Sequence, residues 1–184
     1  MNNKLFIAAL FIFGISFSSF AQCGSHKNNV KSSYVHKNDI IDIASNIDDF
    51  STLVLAIKTA NLVSTLQGDG PFTVFAPTNS AFAKIDSKTI QTLLSPEGKE
   101  QLIKILTYHV IAGEFKAKDV ITAINAAGGS FILETVSGDK LVATLSNGTV
   151  ILTDENKRTA AVTKTDVDAT NGVIHVIDTV VLPQ

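Results

Sequence analysis

Apolar residues recur at helical spacing through the first half of this chain and alternate with polar ones through much of the second half. From Asp39, a natural cap, Ile40, Ile41, Ile43, Ala44 and Ile47 predict a short helix. Asp48 or Asp49 then caps a longer one, with Phe50, Leu53, Val54, Ile57 and Ala60 on a single face. Leu62, Val63 and Leu66 continue it until Gly68-Asp69-Gly70-Pro71 ends the pattern. Thr73 to Ala76 is a β-branched and aromatic run stopped by Pro77, which has no amide hydrogen for a ladder. Thr78 or Asn79 caps the next helix, whose first apolar residues are Ala81 and Phe82. Ser87 and Ser95-Pro96-Glu97 mark two further starts, the second with proline at the first helical position, and Leu102, Ile105 and Leu106 form its buried stripe. Thr107 to Gly113 reads as a helix end running into a short strand, and Lys118 to Ala127 as a helix closed by Gly128-Gly129.

From Ser130 the period changes to two. Phe131 to Val136 and Lys140 to Leu145 flank Ser137-Gly138-Asp139, and Asn147-Gly148 joins the latter run to Thr149-Val150-Ile151-Leu152, so two consecutive hairpins are expected. Ala160 to Thr165 and Val173 to Asp178 follow on either side of a turn at Asp168 to Gly172, with Val180-Val181-Leu182 as a last extended run. Helices first and hairpins afterwards make the class α+β with a mainly antiparallel sheet.

With 184 residues the chain holds one domain with a real core, and residues 38–184 carry all of its periodic pattern. Residues 1–21 read as a signal peptide: Lys4, an apolar run from Leu5 to Phe17, and Ser19-Phe20-Ala21 at the cleavage positions. Residues 22–37 are polar and read as a flexible leader, in which His26 and His36 are solvated. Cys23 is the single cysteine, so no intrachain disulfide forms; a free mature end is favoured over lipidation of Cys23 because Gln22 fits a lipoprotein signal poorly. Removing residues 1–21 leaves 14 basic and 17 acidic residues, a net charge of −3, which argues against nucleic acid or an anionic membrane as partner.

Two blocks, Thr73 to Phe82 and Asn171-Gly172-Val173-Ile174-His175-Val176-Ile177-Asp178 with Val180-Val181-Leu182-Pro183, resemble the signature segments of a fasciclin-type domain. Tyr108-His109 between them resembles that family's Tyr-His pair. The resemblance runs from about Asp39 to Pro183 and implies a wedge of two small, mainly antiparallel sheets with helices packed around them. Within the signatures Thr73, Phe75, Pro77, Thr78, Asn79, Phe82, Asn171, Gly172, His175 and Asp178 are the positions that carry it. It also implies an extracellular or surface adhesion module without catalytic site or cofactor. The family's proposed adhesion determinants fall on Tyr108-His109 and, with valine where many animal members have isoleucine, on Asp166-Val167. A structural role is favoured for them, since large polar aromatics serve packing and hydrogen bonding.

His175 shares a strand face with Val173 and Ile177 and is expected to be buried, satisfied together with His109 and the polar groups of the first signature. Catalysis would need an activated nucleophile, and no Gly-x-Ser-x-Gly elbow occurs. His109 and His175 lack the local ligand pairing of a zinc site, and Asp166-x-Asp168-x-Thr170 lacks the glycine and terminal glutamate of a calcium loop. Asn147-Gly148-Thr149 fits a glycosylation acceptor but is better explained as a hairpin turn. Two functional classes follow. The leading one is an exported, non-catalytic module binding protein or polysaccharide of the cell surface or matrix; the other is a carrier of an apolar small molecule such as a carotenoid.

Overall fold

The computed structural model describes residues 38–184; the expected signal peptide, leader and Cys23 lie outside them. The chain runs through α1 (Ile40–Ser45), a 3-10 turn (Asp48–Phe50), α2 (Ser51–Thr59), α3 (Val63–Leu66), β1 (Phe72–Pro77), α4 (Asn79–Phe82), α5 (Ser87–Leu94) and α6 (Lys99–Tyr108). Then come β2 (Val110–Ala112), α7 (Ala117–Ala126), β3 (Ser130–Glu134), β4 (Lys140–Ser146), β5 (Thr149–Thr153), β6 (Thr159–Ala169) and β7 (Gly172–Ile177). No helix among the described residues is long and apolar enough to cross a membrane.

The strands form one seven-stranded sheet in the order β2-β1-β7-β6-β5-β4-β3, not the two small sheets expected. The reason is β6: its first residues pair with β5 from Thr159 to Ala161, and from Val162 to Ala169 it pairs with β7, bending through two register shifts. One long strand thus serves both halves. A bridge between Ile111 and Thr135, and the bond from Val136 N to Val110 O at 2.8 Å, draw the two ends of the order together, so the sheet nearly closes into a barrel. Antiparallel pairing predominates as expected, but β1 and β7 lie parallel along their whole length, from Phe72 opposite Gly172 to Pro77 opposite Ile177.

Those two central strands are buried on both faces and divide the interior. Val74, Ala76, Ile174 and Val176 face the helices, against Ile40, Leu53, Ile57, Leu102 and Leu106. Phe75 and Ile177 face the barrel, against Leu133, Leu141, Leu152 and the Val120 and Ile124 side chains that α7 lays over it. Each of these apart from Ala76 contributes roughly 1.5–3 kcal/mol by leaving water.

Three helix boundaries differ from expectation. The helix read as continuous to Leu66 breaks at Asn61, whose φ of 59° an asparagine tolerates at low cost. No side chain of Asp48 or Asp49 caps α2; that task falls to a residue from the first signature, described below. α6 begins at Lys99 rather than at Pro96, because Ser95 to Gly98 form a turn that closes back on α5, the Ser95 hydroxyl donating to Thr92 O at 2.7 Å. Val180-Val181-Leu182 is buried or half-buried yet joins no strand; the amide of Leu182 donates to Asp154 Oδ2 at 3.0 Å instead.

Candidate functional site

In the first signature Thr73 is fully buried, and its hydroxyl donates to Gly113 O at 2.7 Å while accepting from Phe115 N at 2.8 Å. Pro77 ends β1 as expected, and Thr78 caps α4 by accepting from Ala81 N at 3.2 Å. Asn79 works at a distance: Oδ1 accepts from Thr52 N at 3.0 Å, and Nδ2 donates to Asp48 O and Ser51 Oγ, both at 2.9 Å. It thereby supplies the cap that α2 lacks locally. Phe82 packs half-buried on the helical core.

In the second signature Asn171 accepts from Ile40 N at 3.0 Å and donates to Leu66 O at 2.7 Å and Gly68 O at 3.2 Å. Gly172 is required by close approach, since a Cβ there would overlap the carbonyl of Phe72. His175 lies against Phe75, ring centroids 5.6 Å apart. Its Nε2–H donates to Phe115 O at 2.8 Å, and its Nδ1 accepts from Asp166 N at 3.3 Å, which fixes the tautomer. Asp178 accepts from Ala161 N at 2.8 Å and pairs with Lys84 at 3.4 Å. Partial burial raises the Asp178 pKa, but the bonds from Ala161 and Thr179 and the charge of Lys84 outweigh it, leaving the carboxyl below its usual range.

Asp166 and Val167 sit at the bend of β6. Asp166 adopts φ 56°, and its Oδ1 accepts from Ala117 N at 2.8 Å at the start of α7; Val167 is half-buried opposite Ile174. Asp168 points elsewhere, to Lys116 at 3.2 Å. Among the described residues no three His, Cys, Asp or Glu side chains are placed to hold a metal ion. Thr73, His175 and Asp166 all fasten residues 113–117, the crossover into α7. The two signatures thus bond mainly to backbone and not across to each other: the expected mutual bond between His109 and His175 does not form.

Tyr108 and His109 are both buried, at 0% and 3% exposure. The Tyr108 hydroxyl donates to Lys140 O at 2.8 Å, and burial together with the charge of Asp154 pushes the phenol well above its usual range. His109 Nδ1–H donates to Ile105 O at 2.8 Å, and burial lowers its pKa to about 4, so the ring is neutral. Among the described residues its Nε2 has no partner, and the ring lines an apolar cleft walled by α5, α6 and the C-terminal segment.

Two surfaces were missed in the sequence. One is that cleft. The other is the outer face of β3 to β6, where Ile132, 57% exposed, stands opposite Val142, and Thr144 opposite Ile151, which stands opposite Ala161. The alternation that predicted the strands also placed these residues outside, but nothing in it showed that no helix would cover them.

The model of the Fasciclin domain matches residues 48–183. The chain belongs to the fasciclin family. Protein sll1483 of Synechocystis sp. is 47% identical over 144 residues, covering 78% of this chain and 73% of that one. Immunogenic protein MPB70 of Mycobacterium bovis is 32% identical over 76% of this chain and 66% of its own length. The transforming growth factor-beta-induced protein ig-h3 of Sus scrofa is 36% identical, but this chain spans only 19% of it. Among solved structures, the FAS1 domain pair of the insect cell adhesion molecule fasciclin I superposes with a TM-score of 0.70 at 22% identity, over 79% of this chain and 51% of that chain. That likeness is one of fold.

Proposed function

We propose that this fasciclin domain is an exported, non-catalytic interaction module that holds a protein or polysaccharide at the cell surface or in a matrix. The observation that carries the reading is the direction of its polar groups. Tyr108, Thr73, His175 and Asn171 are turned inward onto backbone partners, and Asp166-Val167 is engaged at the α7 start, whereas the outer face around Ile132, Val142, Thr144 and Ile151 is uncharged at its centre, with the exposed Glu134 and Lys140 paired at its edge. Adhesion thus falls to the outer sheet face rather than to the Tyr-His or Asp-Val pairs. Four strands about 4.8 Å apart with about three outward residues each offer roughly 250 Å2. A stable interface needs about 800 Å2 per partner, so one domain binds weakly and retention depends on many copies.

The test is retention of immobilised mature protein on whole cells, envelope polysaccharides and matrix proteins. Ile132→Lys and Thr144→Lys should reduce retention at least tenfold; the Ile132 site is exposed and its substitution should cost only about 0.5 kcal/mol, while Thr144 is half-buried and should cost more. Retention unaltered by both substitutions overturns the reading. A second reading, the carrier of an apolar small molecule such as a carotenoid, is supported by the cleft over His109. Only about 20 Å3 of it admits solvent, too little for a polyene, and the interaction reading leads.

A further inference from the structure

We propose that the apolar cleft over His109 is a binding site for a small uncharged molecule with an apolar body and one hydroxyl, the hydroxyl donating to His109 Nε2. This site is separate from the outer sheet face, so its failure leaves the interaction reading standing.

The cleft lies between α5 and α6 and is closed by the C-terminal segment, with Ile90, Leu94, Leu106, Val180 and Leu182 among its walls. It measures about 490 Å3 counting its open mouth. Only about 20 Å3 of that admits solvent, so a ligand larger than one water enters only by displacing the walls. No charged side chain lines it, so a charged ligand would lose its hydration without compensation. Of its two polar lining residues, Thr52 and His109, the His109 ring carries a buried nitrogen without a bond. Nδ1–H of His109 is already donating to Ile105 O, so Nε2 carries the lone pair and can only accept. Among the described residues nothing supplies a donor to it, although the side chain is 97% buried. Such an atom costs free energy unless something arrives to bond it.

Water is a poor occupant. The roughly 20 Å3 open to solvent is enough for one molecule, but a buried water needs two to four polar partners, and beyond Nε2 the surrounding walls are almost wholly aliphatic. A ligand hydroxyl is different, because its own apolar body replaces the missing contacts. Phe82, Ile85, Ile90 and Leu94 are half-buried around the cleft, so a ring or short chain enters by changing their rotamers rather than by moving a helix. The neutrality of His109, held by burial down to about pH 4, keeps the acceptor available across the physiological range.

The experiment compares phenol with toluene, nearly isosteric molecules that differ in the donor, by NMR titration of the mature protein at pH 7. Both should shift resonances of α5 and α6. Phenol alone should move the 15N resonance of His109 Nε2 in the direction of an accepted hydrogen bond. In His109→Phe the ratio of phenol to toluene affinity should fall by about tenfold. Ile90→Trp, which fills the mouth, should weaken both ligands. Absence of binding, a ratio unchanged in His109→Phe, or a 15N shift identical for the two ligands overturns the assignment. The wild-type nitrogen shift decides it should the phenylalanine variant fail to fold.

Discussion

Replacing Asn171 with alanine removes a single side chain that three backbone groups share. Ile40 N loses its acceptor, and Leu66 O and Gly68 O lose their donor, at sites 131, 105 and 103 residues away in sequence. The position is 8% exposed, so water reaches little of what is left. Each buried group left without a partner costs about 1–3 kcal/mol. Gly68 O, at the longer distance and beside an open cleft, recovers part of its loss from solvent. The total is about 3 kcal/mol, against a stability on the order of 10 kcal/mol for a domain of this size. At about 3 °C per kcal/mol the melting temperature should fall by about 10 °C. Urea unfolding of the mature protein should show a lower midpoint at unchanged slope, and the Ile40 amide should lose protection from hydrogen exchange. Asn171→Asp separates the mechanism from a simple volume effect. It keeps an acceptor for Ile40 N but sets a carboxylate against two carbonyl oxygens, so it should destabilise at least as much as alanine. An alanine cost under 1 kcal/mol, or an aspartate variant closer to wild type than alanine, would refute the claim that this side chain ties the signature to the helices.

Two further outcomes follow from the same bonding. His109 has its folded pKa depressed to about 4 from an ordinary 6.5, so the unfolded chain binds the extra proton first and stability falls as pH drops from about 6.5 toward 4. The contribution is on the order of 3 kcal/mol, and urea midpoints of His109→Phe should be flatter than wild type over that window; parallel pH profiles would contradict it. His175→Ala strands Phe115 O and Asp166 N and removes the ring lying against Phe75, which should lower the melting temperature by several degrees and raise exchange at Ala117; an unchanged melting curve would show that the 113–117 crossover is held by other means.

The helices and hairpins were legible because each has a covered and an uncovered face. Asn147-Gly148 marked its hairpin correctly, both residues taking positive φ, 50° and 81°. The parallel pairing of β1 with β7 was not legible. Every residue of β7 and nearly every one of β1 is buried, so no alternation marks which face meets the helices, and partners 100 residues apart leave no turn signal between them. The single sheet in place of two has the same origin, since a strand that changes partner midway shows only as a long strand with a bend. His175 was read correctly as buried, but its partners are carbonyl and amide groups of residues 115 and 166, and backbone atoms carry no sequence signature. Of the two caps expected for α4, Thr78 serves it, while Asn79 turns to α2, whose start lies 28 residues earlier.

These bonds bear on what a family signature can say about function. A motif whose side chains hold together α1, α2, β6 and the 113–117 crossover specifies the scaffold, because changing Asn171, Asn79, Asp178 or His175 leaves a buried or part-buried backbone group without a partner. Under the proposed interaction reading, partner choice rests on residues with no such task, such as Ile132 on the outer face, where substitutions cost little stability. The Tyr-His pair divides along this line. Tyr108 is engaged with Lys140 O, whereas His109 uses one ring nitrogen to anchor itself and leaves the other buried and unbonded among the described residues. Packing alone would be served as well by a phenylalanine there, without the cost of an unbonded acceptor. The unbonded nitrogen is therefore the observation on which the proposed occupant of the cleft rests, and it belongs to a pair whose other polar atoms are bonded within the fold.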